Sequence, residues 1–318
     1  MRPIDRLNLN SRAAEILRRA EDDADALGIT SSRVDGGGRT YDFGVEAPGS
    51  LNAGILLTRI CMADLVDVSL HPADRSVVDC PLVQVRTDEP VAACMASQYA
   101  GWPVQVGKYF AMGSGPMRIR RGREQVLTDL RAIDSASEVT VGVLESDRLP
   151  DAEIFDAIAA ECQIDPSTLY LAVAATRSIA GTLQIVARSV ETAMHQLHAR
   201  GGNLHGVRSA MGTAPLPPPA KEFVAALGRT NDAILYGGSV TLWVDDPSLL
   251  DLAEQLVSRA AADWGRPFAE IFKAYDHDFY KIDAGLFAPA RVTVIDLKSG
   301  RCRTAGEFRG DCLAGWFA

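Results

Sequence analysis

Apolar residues recur at Ile179, Leu183, Val186, Val190, Met194 and Leu197, at steps of four, three, four, four and three. That spacing draws one buried stripe and predicts a helix from Thr176 to Gly201, stopped by Gly201-Gly202. A second line, Gln184, Arg188, Glu191 and His195, is polar and lies roughly 130° from the first, at about 100° per residue. Just before this helix, Leu169 to Ala175 is an unbroken apolar run, the pattern of a strand buried on both faces. A buried strand that feeds a helix puts their junction at the carboxyl end of a sheet, where α/β proteins hold ligands. The polar line therefore begins beside a candidate pocket.

The same periodicities run through the rest of the chain. Asn10 or Ser11 caps a first helix to about Leu27, with Ala13, Ile16, Leu17, Ala20, Ala24 and Leu27 inward. Arg33 to Val45 reads as two strands about the turn Asp35-Gly36-Gly37-Gly38. Pro48-Gly49-Ser50 opens a helix through Ile55, Leu56, Ile60 and Met62. Strands follow near Asp67–Leu70 and Leu82–Val85, and Pro90 opens a helix that ends near Tyr99. Residues 111–116 (AMGSGP) read as a glycine-rich loop, in which Gly113-x-Gly115 lacks the third glycine of a dinucleotide fingerprint. Val139–Glu145 as strand, Asp151–Cys162 as helix and Leu169–Ala175 as strand alternate in the α/β manner. Pro215 to Pro219 reads as a short rigid connector, followed by a helix to Leu227. Strands at Ala233–Tyr236 and Val240–Val244 then meet across Gly237-Gly238-Ser239, and Pro247 opens another helix. A last hairpin turns at Lys298-Ser299-Gly300 and echoes the first, which predicts that the two share one sheet. The fold class is α/β (mixed α+β). An N-terminal α/β domain is expected over 1–135, joined by the tail 276–318, and a second over 136–275 carrying the polar-lined helix.

Composition narrows the function classes. Of 318 residues, 47% are hydrophobic and 23% charged, ordinary for a globular protein, and no apolar run approaches the ~20 residues of a membrane span. The start, MRPIDRLNLN, has no apolar signal core, so the expected setting is cytoplasmic, with no membrane partner. Six scattered cysteines without C-x-x-C spacing read as reduced, buried or half-buried thiols. A net charge of −9 speaks against nucleic acid as a partner. Lys108 with the cluster Arg118, Arg120, Arg121 and Arg123 still suits an anionic small molecule.

Three groups of residues carry candidate chemistry. Arg188 and Glu191 are three apart; on a solvated helix that is an ordinary pair contributing ~0.2–0.5 kcal/mol, and beside a pocket it is acid–base machinery. His195, His198 and His205 are close enough in sequence for a hydrolytic zinc site, but match no H-E-x-x-H pattern and stand at the helix end away from the strand. Lys273 to Asp283 (KAYDHDFYKID) offers a carboxylate–imidazole pair and reads more simply as a hydrogen-bonded loop before the last hairpin.

Six stretches, in this order, resemble the methenyltetrahydromethanopterin cyclohydrolases: SLNAGILLTRICMADLVDV, SQYAGWPV, YFAMGSGPMR, ATRSIAGTLQIVARSVET, GRTNDAILYGGSV and DHDFYKIDAGLFAPARV. They run from about Asp42 to Ala290. The resemblance implies a hydrolase without cofactor or metal. It would open the five-membered ring of a cyclic methenyl cation on a tetrahydropterin one-carbon carrier, giving the N5-formyl compound reversibly. It also implies two α/β domains with a deep pocket between them, and a homotrimer. The family's catalytic arginine and glutamate lie in QIVARxVE, which falls on Arg188 and Glu191. Glu191 is then the general base on water, with Arg188 tuning its pKa and orienting that water. Gln184, Asn231, Asp232, Gly238 and Ser239 are the expected pterin partners, and Lys108, Ser114 and Arg118 those of the carrier's acidic tail. A non-catalytic pterin-binding protein and a zinc hydrolase using the three histidines are the alternatives.

Overall fold

The computed structural model describes residues 4–75, 77–134 and 136–317; the expected domain boundary at Ser135 and the first residues of the start lie outside them. In chain order the strands are β1 (Thr30–Arg33), β2 (Arg39–Gly44), β3 (Asp67–His71), β4 (Leu82–Thr87), β5 (Trp102–Val106), β6 (Tyr109–Ser114), β7 (Thr140–Glu145), β8 (Leu169–Ala174), β9 (Val207–Pro215), β10 (Ser239–Val244), β11 (Arg291–Asp296) and β12 (Cys302–Gly306). The helices are α1 (Leu9–Asp22), α2 (Ala24–Leu27), α3 (Leu51–Cys61), α4 (Met117–Arg121), α5 (Gln125–Asp129), α6 (Ala152–Cys162), α7 (Ile179–Val186), α8 (Ser189–Ala199), α9 (Phe223–Gly237), α10 (Phe268–Ala274) and α11 (Gly310–Trp316).

These elements form two compact units, Met1–Val66 with Ala92–Gln184, and Asp67–Val91 with Ile185–Ala318. In the first unit a mixed sheet has the order β1-β2-β8-β7-β6-β5, with β8 parallel to both β2 and β7. Leu169, Leu171 and Val173 of β8 are fully buried, as an unbroken apolar strand at a sheet centre requires. Leu17 of α1 and Leu57 and Ile60 of α3 gather with Tyr41, Val141 and Ala172 in one core cluster. Phe155 and Ile158 of α6 gather with Leu171 and Trp102 in another. Local signals set the helix starts: Ser50 Oγ accepts from Ala53 N–H before α3, and Asp151 from Ile154 N–H before α6.

In the second unit the sheet order is β12-β11-β10-β9-β4-β3; β10 and β11 run parallel and every other neighbouring pair antiparallel. Val83, Val85, Ala210, Ala214, Val240, Leu242, Val292 and Val294 are buried at the two-residue strand period, and α8 and α9 pack on this sheet.

Several expectations are corrected. The first and last hairpins lie in different sheets, with β1–β2 beside β8 and β11–β12 beside β10. The units therefore differ from 1–135 with 276–318 against 136–275, because β7 and β8 join the sheet of β2. Strand β9 has no conspicuous sequence signal, since its buried positions include the small residues Ala210, Gly212 and Ala214. Ala233–Tyr236 is the last turn of α9, not a strand. Most of 111–116 is strand: Met112, Gly113 and Ser114 pair with Glu145, Leu144 and Val143. Asn10 lies inside α1, where its Nδ2 donates to Asp134 at 2.8 Å and its Oδ1 accepts from Val141 N–H at 2.8 Å. The helix after Pro90 is a π-helix, Val91–Gln98, and the one after Asp246 is 3-10, Pro247–Gln255. The Cys302 thiol is exposed.

Candidate active site

The chain leaves β8 through Thr176-Arg177-Ser178. Ser178 Oγ accepts from Gly181 N–H at 3.0 Å, so α7 begins at Ile179 and not at Thr176. The single expected helix is in fact two. α7 ends at Val186, Ala187 and Arg188 make a turn, and α8 begins at Ser189. Neither glycine nor proline stands at this break, so local sequence does not cause it. Packing gives α8 its own course. A Cβ on Gly212 of β9 would stand 2.4 Å from Ser189 Oγ and 2.9 Å from Val190 Cγ2, an approach of helix to strand that only glycine allows.

Arg188 occupies the cap position of α8 with φ −85° and ψ 6°, in the bridge region where active-site residues often sit. Glu191 follows in the first turn, where the helix dipole favours a carboxylate. Arg188 is 8% exposed and Glu191 6%, and both are partnered. A buried guanidinium and carboxylate need such partners. The solvated surface pair is therefore the wrong description, although the assignment of the two residues together to one turn stands.

Gln184 belongs to α7 and to the first unit. Its Nε2 donates to Cys61 Sγ at 3.4 Å, and Ser114 Oγ lies 3.4 Å from the same sulfur. The sequence put Gln184 on the pterin and Ser114 on the acidic tail; the structure joins both at a cysteine that sequence reasoning left among the inert thiols. Arg118 corrects another expectation. It is fully buried, binds both oxygens of Glu124, donates to the carbonyls of Met95 and Ser97 at 3.1 Å and lies over the Tyr99 ring. Its guanidinium closes the end of the π-helix from inside the unit. Arg121 and Arg123 share the one carboxylate of Glu161, so three of the four clustered arginines have a carboxylate partner. Lys108 is exposed on the turn between β5 and β6.

In the second unit, Asp232 Oδ1 accepts from Phe268 N–H at 2.8 Å. Burial pushes this carboxyl up to about 8, against the lowering effect of that hydrogen bond. Through that bond it holds the start of α10. Asn231 Nδ2 donates to the Leu227 carbonyl at 2.9 Å, which leaves its Oδ1 as an acceptor. Gly238 donates to Ile234 O and its own carbonyl accepts from Arg291 N–H, so its backbone is committed as well; Ser239, half-buried at the start of β10, is paired in register with Thr213 and Arg291.

Among the described residues, no three His, Cys, Asp or Glu side chains gather to hold a metal ion. His205 is exposed, whereas burial, and less strongly His198, lower the pKa of His195. The zinc alternative loses its ligand set. Lys273 to Asp283 runs from the last residues of α10 into a loop with one 3-10 turn, Phe279–Lys281: Lys281 pairs with Asp276 at 3.1 Å, and His277 packs edge-on against Phe272.

A family model described as Cyclohydrolase (MCH) matches residues 8–317. A methenyltetrahydromethanopterin cyclohydrolase of Rhodopirellula baltica is 50% identical over 283 residues, 87% of this chain and 85% of that protein. The protein of the same name from Xanthobacter autotrophicus is 43% identical, covering 96% of this chain and 92% of its own. That of Methanosarcina mazei is 39% identical, with 96% and 97% covered. With its QIVARSVE segment intact on the α7–α8 break, the chain belongs to the methenyltetrahydromethanopterin cyclohydrolase family.

Proposed function

We propose that this protein reversibly hydrolyses the cyclic methenyl cation of tetrahydromethanopterin to N5-formyl-tetrahydromethanopterin in one-carbon metabolism. Glu191 acts as general base and Arg188 holds it charged and aligned. The observation that carries this reading is a carboxylate and a guanidinium, both almost closed to solvent, one helical turn apart in the family's own segment.

The chemistry follows from the substrate. Its bridging carbon lies between two nitrogens of a delocalised cation and is already electrophilic; what neutral water lacks is nucleophilicity. Glu191 takes a proton from a bound water as the oxygen bonds to that carbon. The resulting tetrahedral adduct breaks its bond to N10 as its hydroxyl proton leaves to solvent and the C=O of the formyl group forms; Glu191 returns its own proton to N10, so the reaction releases one proton overall. Arg188, with a fixed planar fork, orients the carboxylate through every protonation state. No Lewis acid is required to polarise a carbon that already bears positive charge.

Gln184, Ser239 and Asn231 are proposed to face the pterin, and Lys108 the acidic tail. A deep interdomain pocket, a cytoplasmic homotrimer and the lack of a nucleic-acid partner belong to the same proposal, resting on the resemblance and on the charge of −9. Among the described residues no helix is long and apolar enough to cross a membrane.

Glu191→Gln tests the mechanism. The variant is expected to fold and to keep its KM, while kcat, followed as loss of methenyl absorbance, falls by ~10²–10⁴. Undiminished kcat would remove Glu191 from the chemistry. Tight pterin binding without turnover by the wild-type protein would instead favour the non-catalytic binder.

A further inference from the structure

Three buried side chains and a strand carbonyl of the first unit line up end to end. Gln184 Nε2 donates to Cys61 Sγ at 3.4 Å, the sulfur lies 3.4 Å from Ser114 Oγ, and Ser114 Oγ donates to the Val143 carbonyl at 3.4 Å. Gln184 is 4% exposed, Ser114 2% and Cys61 0%. Counting protons fixes the direction of this chain. The Val143 carbonyl can only accept, so the one hydroxyl proton of Ser114 goes to it. Ser114 Oγ then accepts the Cys61 S–H, which leaves the sulfur to accept from Gln184. An amide that spends an N–H on the thiol turns its carbonyl oxygen the other way.

Each contact is weak, as thiol hydrogen bonds are. Choosing between the two orientations of an amide needs no more than that, provided the thiol itself is fixed. The backbone that carries it is tied: Ser97 Oγ donates to the Cys61 carbonyl at 2.7 Å, and Ser97 O is held in turn by Arg118 at 3.1 Å and by Gly115 N–H at 2.9 Å. The ends of α3, the π-helix, β6 and α7 meet around Cys61.

We infer that Cys61 is a positioning residue: through Ser114 and Val143 it holds Gln184 with Oε1 presented as an acceptor to an N–H of the pterin's aminopyrimidinone edge. This rests on the reading of the protein as acting on a pterin carrier. The ligand class follows from the atom presented. An amide oxygen only accepts, and the 2-amino group and ring N–H of a pterin are donors, whereas a carboxylate tail offers only acceptors. Ser114 accordingly belongs to the orientation of Gln184 and not to the tail.

Steady-state kinetics with methenyltetrahydromethanopterin on Cys61→Ala, Cys61→Ser, Gln184→Ala and the Cys61→Ala/Gln184→Ala double variant test the inference. Cys61→Ala is expected to raise KM about 3- to 10-fold, the weight of one neutral hydrogen bond, with kcat within about twofold. Cys61→Ser, whose hydroxyl also donates once and accepts, should bring KM back. The double variant should have the KM of Gln184→Ala alone, because a residue that acts only through another adds nothing once that other is gone. Unchanged KM in Cys61→Ala or in Gln184→Ala, or multiplied KM effects in the double variant, would overturn the inference. Should Cys61→Ala fail to fold, Ser114→Ala cuts the same chain at its far side; a raised KM there supports the inference and an unchanged one overturns it. Absence of methenyl turnover by the wild-type protein would sink the hydrolase reading itself, a result distinct from unchanged KM among active variants.

Discussion

A carboxyl sealed between packed helices titrates far from where an aspartate ordinarily does, and Asp232, on α9 against α10, makes that measurable. Burial pushes it up to about 8 from an ordinary value near 3.8, so the folded protein keeps a proton that the unfolded chain releases. Its stabilising contribution is fully present below about pH 4, is lost as pH rises toward 8, and levels off above. The slope is up to ~1.4 kcal/mol per pH unit. Asp232→Asn keeps an oxygen for Phe268 N–H and has no charge to gain. Urea unfolding at pH 5, 6.5 and 8 should show the wild-type midpoint falling relative to that of the variant, and parallel profiles would mean that Asp232 is ionised in the folded state. Arg118 is the contrasting residue. It is a permanent charge, so it cannot escape burial by titrating and must instead be matched, here by Glu124, two carbonyls and a ring. Residue type alone suggested a pterin partner for Asp232 and a partner of the acidic tail for Arg118. Their surroundings assign both to the protein's own architecture.

The start of α8 depends on β9, and Gly212 is where that dependence can be tested. A methyl group there meets Ser189 Oγ at 2.4 Å, Val190 Cγ2 at 2.9 Å and Val190 N at 3.3 Å, so the first turn of α8 has to lift from the sheet. Gly212→Ala is expected to destabilise by ~1–3 kcal/mol, the usual penalty for overpacking. It should also lower kcat/KM, because Arg188 and Glu191 ride on that turn; a thermal scan and methenyl kinetics measure the two effects. Unaltered activity with lowered stability would mean that the turn bearing Arg188 and Glu191 is positioned by something other than β9. This contact also explains what periodicity could and could not reveal. The apolar spacing of 179–197 correctly marks buried helix, and the Leu169–Ala175 run correctly marks a central strand, because burial on a face leaves a repeat in the sequence. The break at Ala187-Arg188 leaves none, since it comes from a strand that is recognisable only by the small size of Ala210, Gly212 and Ala214. The same blindness turned the last turn of α9 into a strand, where a buried helix and a short strand carry the same apolar run. Cys61 was invisible for a different reason: nothing in ICMADL announces that Gln184 and Ser114 will converge on its sulfur.

At the scale of the whole molecule, the chain passes between its two units at 66/67, 91/92 and 184/185. The alternation of strands and helices predicts such units but not this interleaving, because pairing between distant strands has no local signal. The consequence is that the second unit, which carries Arg188 and Glu191, is not a continuous piece of sequence. Its sheet holds β3 and β4, which come from 67–91, and β4 pairs with β9 along Leu82–Thr87 against Ala210–Pro215. A fragment of 185–318 would keep Arg188 and Glu191 yet leave that whole side of β9 unpaired, a template for sheet extension between molecules. Expressed alone, it is expected to aggregate and to show no cooperative unfolding by circular dichroism. A permuted version in which 67–91 is linked to 185–318 supplies the missing hairpin, and should elute as a discrete species by size exclusion with a sharp unfolding transition. If 185–318 by itself proved soluble and cooperatively folded, β3–β4 would be an accessory to the sheet, and Arg188 and Glu191 would be held by a smaller core than the strand order indicates.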